Sequence, residues 1–395
     1  MTGPLSGLLV VDLSQFLAGP YAALRLQDLG ARVIKIERPD GGDLTRQLYL
    51  SDTMIDGEST IFHAINRGKE SLSLDLKQPE GQAALRQLIA RADVVMQNFR
   101  PGVIARLNLD YDSVAAIKPD VVYGSISGYG TTGEWAHLPG QDLLAQARSG
   151  VMWLNGSAED GPVPFGLAVA DMFAGANLAQ GILAALVRRG LDGTGAHVET
   201  SLLEAMVDFQ FEVLSTHLND GGRPPQRSSF RSAHVGLSAP YGVYPTTNGF
   251  LAIAMSSLAA LADLLDLAEL RPFAEDRSTW FAQRDAIKRV LATRLASRTT
   301  EDWLSILEPA GIWCAKVMTW PELLQTQAFQ DLDLLQRVES GLGTSLQFTR
   351  SPIRVDGQRG RSLVPGPAIG ADNARLAEEF GLSLGPGDRA RAQSG

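Results

Sequence analysis

The chain has a single cysteine, Cys314, so it cannot form an internal disulfide or any multi-cysteine zinc or iron–sulfur site, which suits a reducing compartment. Its histidines stand apart at 63, 137, 197, 217 and 234 with no HExxH spacing, and no metal is expected. Basic charge is in deficit. The 35 Lys plus Arg against 44 Asp plus Glu give a formal net charge of −9, which offers no track for a phosphate backbone and predicts no nucleic-acid partner. No uninterrupted apolar run reaches membrane-spanning length, and the opening MTGPLSGLLV lacks a basic start followed by a cleavable apolar block. A cytoplasmic protein with no membrane partner is therefore expected. The absence of a fixed-period repeat or heptad also removes scaffold arrays and coiled coils.

What is present is globular: 45% hydrophobic and 20% charged residues over 395 positions, enough for about two domains. The run ending at Asp12 reads as a strand, SQFLAGPYAALRLQDLG as a helix with Pro20 near its start and Gly30 at its end, and RVIKIE as a second strand. The alternation continues through a helix in PEGQAALRQLIARAD, a strand in VVMQNF, a helix over Asp110 to Lys118 and a strand in VVYGSISG. This pattern predicts an α/β fold with a mostly parallel sheet covered by helices. Helices are also read in DLLAQARSGVMWLNG and in AVADMFAGANLAQGILAALVRRG, where Gly175 and Gly181 each cost roughly 1 kcal/mol and require a compensating close approach. The polar stretch NDGGRPPQRSSFRSAH, from Asn219 to His234, is the natural boundary. Beyond it, two strands turn at Asn248–Gly249, and helices are expected over Ala259 to Leu270, Trp280 to Ala296 and Thr300 to Leu307. The expected division is 1–220 for the first part of a large domain, 221–325 for a smaller α+β domain, and 326–395 for a return segment with a short helix at Asn373 to Phe380 and a loosely held tail beyond Gly385.

Several residues carry chemistry on their own terms. Gly128-Tyr129-Gly130-Thr131-Thr132-Gly133 follows a strand and fits either phosphate cradling or a turn in a substrate loop; the downstream EWAHLPG is not the helix a dinucleotide fingerprint demands. Asp171 sits at the start of a helix, either as a cap or as a carboxylate able to take an acyl group. Lys35 with Arg38, Lys77, and Arg100 with Arg106 lie in strand-end segments where folding can gather them around an anion. His197 and His217 have packing or surface roles as their simplest explanation, no nucleophile-elbow motif supports a Ser-His-Asp hydrolase, and Cys314 sits among apolar residues as a buried thiol does.

The segments LSQFLAGPYAALRLQDLGARVIKIERPDGGD, INRGKESLSLDLKQPEG, ADVVMQNFRPGVIARL, GSISGYGTTG and DMFAGANLAQGILAALVRRGLDGTGAHVETSLLEAM resemble the family III CoA-transferases, the group related to formyl-CoA:oxalate and carnitine CoA-transferases, over almost the whole chain. The resemblance implies a large Rossmann-like α/β domain with a smaller α+β domain, an interlocked homodimer, and coenzyme A entering as acyl-CoA substrate, with a carboxylic acid as its partner in the reaction. It implies that Asp171 is a covalent nucleophile that passes through a mixed anhydride and an aspartyl-CoA thioester. It further implies CoA-facing positions at Leu17, Ala18, Arg38, Leu74, Lys77, Asn98, Phe99 and Arg106, with Leu74 and Phe99 covering the adenine or pantetheine portion. Leu17 stands where the oxalate-using branch has glutamine, and the stretch from Gly236 to Gly242 lacks that branch's dense glycine cluster. The substrate-loop candidates are Gly128, Tyr129, Gly130, Gln141, Asp142 and Gly236. A second resemblance, to α-methylacyl-CoA racemases, meets Gln141-Asp142 where that class has His-Asp, and glutamine is no replacement base. A non-catalytic CoA-binding protein is the remaining alternative.

Overall fold

A computed structural model describes residues 3–48, 50–340 and 342–385, and the expectation for the tail beyond Gly385 lies outside them. Six short segments form one sheet: β1 (Leu9–Asp12), β2 (Arg32–Glu37), β3 (Glu70–Ser73), β4 (Val94–Gln97), β5 (Val122–Ser127) and β6 (Ala196–Ser201). Every pairing is parallel, in the order β3-β2-β1-β4-β5-β6. The chain moves outward from β1 to β3, then returns to build β4, β5 and β6 on the other side. The order therefore reverses between β1 and β4, where open α/β sheets bind their ligands. Five of these strands are buried along most of their length, as helices on a parallel sheet require.

Helices α1 (Ala18–Asp28), α2 (Thr60–Asn66), α3 (Pro79–Ile89), α4 (Val103–Arg106), α5 (Tyr111–Ile117), α6 (Asp142–Ser149) and α7 (Val169–Asp192) connect or follow these strands. The start of α1 carries Pro20, and the chain leaves it through Gly30 at φ 104°. By length and hydropathy α7 resembles a membrane span. It is instead a packing helix, lying on α1, β5 and β6. Its glycines explain the contact: a Cβ on Gly175 would stand 2.5 Å from the Ala18 carbonyl oxygen, and one on Gly181 would stand 2.6 Å from Val198 Cγ1. Across the sheet, Gly124 leaves room for Ile182 and Leu178 of α7.

Two compact units emerge. Unit 1 comprises residues 3–145, 168–206 and 330–385, and unit 2 comprises 146–167 and 207–329. This division by compactness differs from the expected 1–220, 221–325 and 326–395, because 146–167 and 207–220 group with the middle of the chain. In unit 1 the late segment completes the edge of the sheet: Asp372 and Asn373 accept hydrogen bonds from the Ser71 and Ser73 amides at 2.9 and 2.8 Å, and Asn373–Phe380 is helical. Unit 2 holds a three-stranded antiparallel sheet of β7 (Gly242–Pro245), β8 (Phe250–Ile253) and β9 (Cys314–Lys316), with helices Leu258–Leu264, Arg284–Leu295 and Thr300–Leu307 over a core that includes Leu251, Leu291 and Trp303. Thr299 and Asp302 complete the capping box of the last helix. The helix expected from Ala259 to Leu270 breaks where Asp266 takes a φ of 48°, and the one expected from Trp280 begins at Arg284.

Candidate functional site

The residues singled out in sequence gather along the carboxyl ends of the parallel strands. Leu17 and Ala18 follow β1, Arg38 follows β2, Leu74 and Lys77 follow β3, Asn98, Phe99 and Arg106 follow β4, and Gly128, Tyr129 and Gly130 follow β5. Arg38, Lys77 and Arg106 are exposed, and Arg38 Nε donates to the Gly42 carbonyl at 3.1 Å. Leu74 is 1% exposed and packs in the core, with its amide donating to the Glu37 carbonyl at 2.8 Å. Phe99, rather than Leu74, is the apolar side chain facing open space: it lines a cavity of about 590 Å³ in unit 1 together with Tyr129 and Gly130. Asn98 spends its amide on the chain itself, accepting from Gln15 N at 2.8 Å and donating to Gln15 O at 2.7 Å. That bridge ties the end of β4 to the end of β1, at the reversal in strand order.

Lys35 is not part of the exposed cationic rim. It is wholly buried in β2, where its ammonium pairs with Asp43 at 2.7 Å and donates to the Ser14 carbonyl at 2.9 Å. Burial pushes its pKa down, but the carboxylates of Asp43, Asp12 and Glu37 outweigh it and raise the pKa. A lysine inside the apolar run RVIKIE of a strand buried on both faces is the sequence signal for such a pairing.

The glycine fingerprint forms a loop. Gly130 and Gly133 take φ of 89° and 88°, open only to residues without a Cβ penalty, and no helix follows directly. A Cβ on Gly128 would lie 2.6 Å from Gly140 Cα, and the Tyr129 hydroxyl donates to the Pro139 carbonyl at 3.2 Å. These contacts bring the segment leading to Gln141 and Asp142 onto the end of β5.

Asp142 then acts on α7. The N-cap position of that helix, Ala168, has no side chain able to cap, and Asp142 supplies the missing acceptor from outside the helix: its Oδ1 receives Ala170 N at 2.7 Å and Asp171 N at 3.2 Å. Asp171 is thus a first-turn residue rather than the cap. Its carboxylate is half-buried and, among the described residues, has no hydrogen-bond donor. Burial first, and the Asp142 charge second, push its pKa up to about 7. Asp171 lies four positions before Gly175, hence on the same helix face and one turn from the contact with Ala18. The capping role of Asp142 has no local sequence signal, because 28 residues separate it from the amides it holds.

Gly236 lies in unit 2, where its amide donates to His234 Nδ1 at 3.0 Å beside a cavity of about 460 Å³. The remaining chemical residues are occupied. Ser125 Oγ lies 2.9 Å from His197 Nε2 but receives the Gln97 amide at 3.1 Å, and Glu199 stands 3.7 Å from His197 Nδ1, so these side chains form a polar ladder across β4, β5 and β6 rather than a hydrolytic triad. Burial and then Glu308 push the Cys314 thiol up, away from thiolate chemistry. Among the described residues no group of three or more His, Cys, Asp or Glu side chains is placed to hold a metal.

The chain as a whole is similar to known enzymes. The profile of CoA-transferase family III matches residues 5–373. The chain is 34% identical over 391 residues to a succinate–glutarate CoA-transferase of Agrobacterium fabrum, covering 95% of this chain and 96% of that one. It is 32% identical to an acetyl-CoA:oxalate CoA-transferase of Acetobacter aceti, covering 96% of each. A crystal structure of a CAIB/BAIF family protein from Brucella suis superposes with a TM-score of 0.83 at 31% identity, covering 96% of this chain and 100% of the other.

Proposed function

Because the chain belongs to CoA-transferase family III, we propose that it transfers CoA from an acyl-CoA to a carboxylic acid through covalent intermediates on Asp171. The observation that carries this reading is a half-buried carboxylate that meets no hydrogen-bond donor among the described residues, one helical turn from the contact of α7 with Ala18; burial and the Asp142 charge push its pKa up to about 7. An ionised Asp171 oxygen attacks the thioester carbonyl, the C–S bond breaks, and a mixed anhydride forms with release of CoA thiolate. The thiolate attacks the aspartyl carbonyl, giving an aspartyl-CoA thioester and the free donor acid. The acceptor carboxylate then displaces CoA to form a second anhydride, and the thiolate takes the new acyl group, restoring the Asp171 carboxylate. Each step conserves one activated bond, so no other energy source is needed.

Both activated forms are open to water, and the half-burial that raises the Asp171 pKa also limits that access. In this reading Arg38, Lys77 and Arg106, all exposed, meet the CoA phosphates, and Phe99, which lines the cavity, packs against its apolar portion. The acids named for the relatives, succinate, glutarate and oxalate, make small dicarboxylates the first acceptors to test. Leu17 in place of glutamine argues against a pure oxalate enzyme. Gln141 in place of histidine argues against racemisation. The assembly that fits this family reading is a cytoplasmic homodimer, and native mass measurement tests it.

The deciding experiment is a single-turnover reaction with succinyl-CoA quenched by hydroxylamine, followed by peptide mapping. The adduct is expected on Asp171. A turnover-competent adduct on Cys314, or undiminished transfer by Asp171→Asn, would remove the proposed nucleophile.

A further inference from the structure

The turn between β1 and α1 is held in an unusual way. Nearly every backbone polar group of Ser14, Gln15 and Phe16 is bound by a side chain from elsewhere in unit 1. Asp12 accepts from Ser14 N at 2.9 Å, Lys35 donates to Ser14 O at 2.9 Å, Asn98 holds both groups of Gln15, and Asp43 accepts from Phe16 N at 3.2 Å. Behind the turn the charges are matched: Lys35 with Asp43 at 2.7 Å, and Lys69 with Asp12 at 3.0 Å, all four side chains wholly buried. Lys69 uses its two remaining donors on Asn66 Oδ1 at 2.9 Å and on the Pro20 carbonyl at 3.0 Å, inside the first turns of α1.

Two further facts give this arrangement a purpose beyond folding. Phe16 is kept at φ 62°, a left-handed conformation that a bulky residue adopts only when its surroundings over-determine it. Its side chain is exposed, so no core packing compensates for that conformation. Buried ion pairs are also a poor route to stability, since well-packed apolar residues serve a core as well or better. What they supply is position. The held turn leads directly into Leu17 and Ala18, and the Ala18 carbonyl is the point α7 touches at Gly175, one turn from Asp171.

We propose that the Lys35–Asp43 and Lys69–Asp12 pairs are positioning residues for acyl transfer, fixing the β1–α1 turn against the Asp171 end of α7 so that the activated acyl group meets its acid or CoA before water. This rests on the reading of Asp171 as nucleophile. The pairs touch neither substrate nor reacting atoms and act only through the backbone they hold.

The test is the double variant Lys35→Met/Asp43→Asn, which removes one matched pair and leaves an amide oxygen for Phe16 N. Three quantities are read on the full chain with succinyl-CoA and glutarate: hydrogen exchange at the Gln15 and Phe16 amides, kcat and KM, and the ratio of hydrolysed to transferred acyl group. Exchange is expected to quicken at least about 10-fold and kcat to fall about 10- to 100-fold with KM for acyl-CoA within about 3-fold. The hydrolysis-to-transfer ratio is expected to rise about 10-fold, a readout that a purely structural role does not move. Lys35→Arg, which keeps the charge, should restore most of the ratio. If the double variant does not fold, Lys69→Met/Asp12→Asn, which removes the other matched pair and leaves an amide oxygen for Ser14 N, is read in its place with exchange followed at the Ser14 amide. Faster exchange with an unchanged ratio and kcat overturns the proposal. Absence of a hydroxylamine adduct on Asp171 in the unaltered enzyme sinks the nucleophile instead, and the exchange result stands apart from it.

Discussion

Asp12 and Asp43 are shut away from water more completely than Asp171, yet only Asp171 is pushed up to about 7, while the other two carboxyls are held below their usual range. Burial pushes all three upward. At Asp12 it is outweighed by the ammonium groups of Lys69 and Lys35 and by hydrogen bonds, and at Asp43 by Lys35 and the amides of Thr45 and Phe16. At Asp171 nothing opposes it, and its neighbour Asp142 adds to it. The partners, not the depth, separate a carboxylate that shapes the backbone from one left reactive.

Removing each kind of carboxylate should therefore have opposite consequences. Asp171→Asn is expected to lower single-turnover transfer by at least about 1,000-fold while leaving CoA binding and folding intact. It should also stabilise the protein at neutral pH. The unfolded chain releases this proton near 3.8 and the folded chain near 7, so between those values the native state binds more protons and its stability falls as pH rises. The variant escapes that loss. Denaturant unfolding should show an advantage on the order of a few kcal/mol above pH 7 that fades toward pH 4. A variant less stable than its parent at pH 8 would mean that Asp171 has a stabilising partner, and the contrast with Asp12 would collapse.

On the compensated side, Lys69→Met leaves Asp12 buried without its main partner and should cost about 3–5 kcal/mol. Lys69 itself is held down at about 8 by burial against the pull of Asp12. With its folded pKa below its unfolded value, native Lys69 releases its proton before the unfolded chain does, so stability rises with pH between about 8 and 10.5 and the cost of Lys69→Met should grow there. Thermal unfolding of the two proteins at pH 7 and pH 9 checks this. A cost that does not change with pH would remove the charge from the explanation.

Helix α7 offers the same kind of internal control for backbone approach. Gly175→Ala places a methyl group 2.5 Å from the Ala18 carbonyl oxygen and should cost about 1–3 kcal/mol, with transfer impaired as α1 shifts from the Asp171 end. Gly190→Ala, in the same helix with nothing within 4 Å, should stabilise by about 0.5–1 kcal/mol and leave transfer unchanged. Equal effects at the two positions would deny that Gly175 is there for contact.

The strands and helices of unit 1 were legible largely because their signals are local. RVIKIE is β2 residue for residue, and Asn373–Phe380 is the helix expected there. The strand Ala196–Ser201 was not read, because an edge strand spelled AHVETS alternates polar groups and carries little apolar signal. The hairpin Leu335–Glu339 with Ser345–Thr349 escaped for a similar reason, since only every second residue is buried. At the site, Asp171 stood out through a resemblance and not through its surroundings. Its charged neighbour Asp142 and most of the clamp on the β1–α1 turn depend on contacts between residues distant in sequence, such as Lys35 with Ser14 and Asn98 with Gln15 at separations of 21 and 83, which no window of sequence displays.

The finest test of the comparison changes one charge and no shape. In Asp142→Asn the amide oxygen still accepts from Ala170 N and Asp171 N, so the cap on α7 survives. Only the like charge beside Asp171 is lost. Burial remains the larger cause of its raised pKa, so the midpoint should fall below 7 without reaching the ordinary carboxylate range. Since the ionised form is the nucleophile, kcat/KM of the parent enzyme should climb with pH through about 7. The Asp142→Asn profile should climb at lower pH by about one unit, giving the variant a relative advantage near pH 6. Above pH 8 both carboxylates are ionised and the less basic one is the weaker nucleophile, so the two profiles should cross. A profile that keeps its midpoint while losing height would show that Asp142 matters for the helix cap and not for its charge.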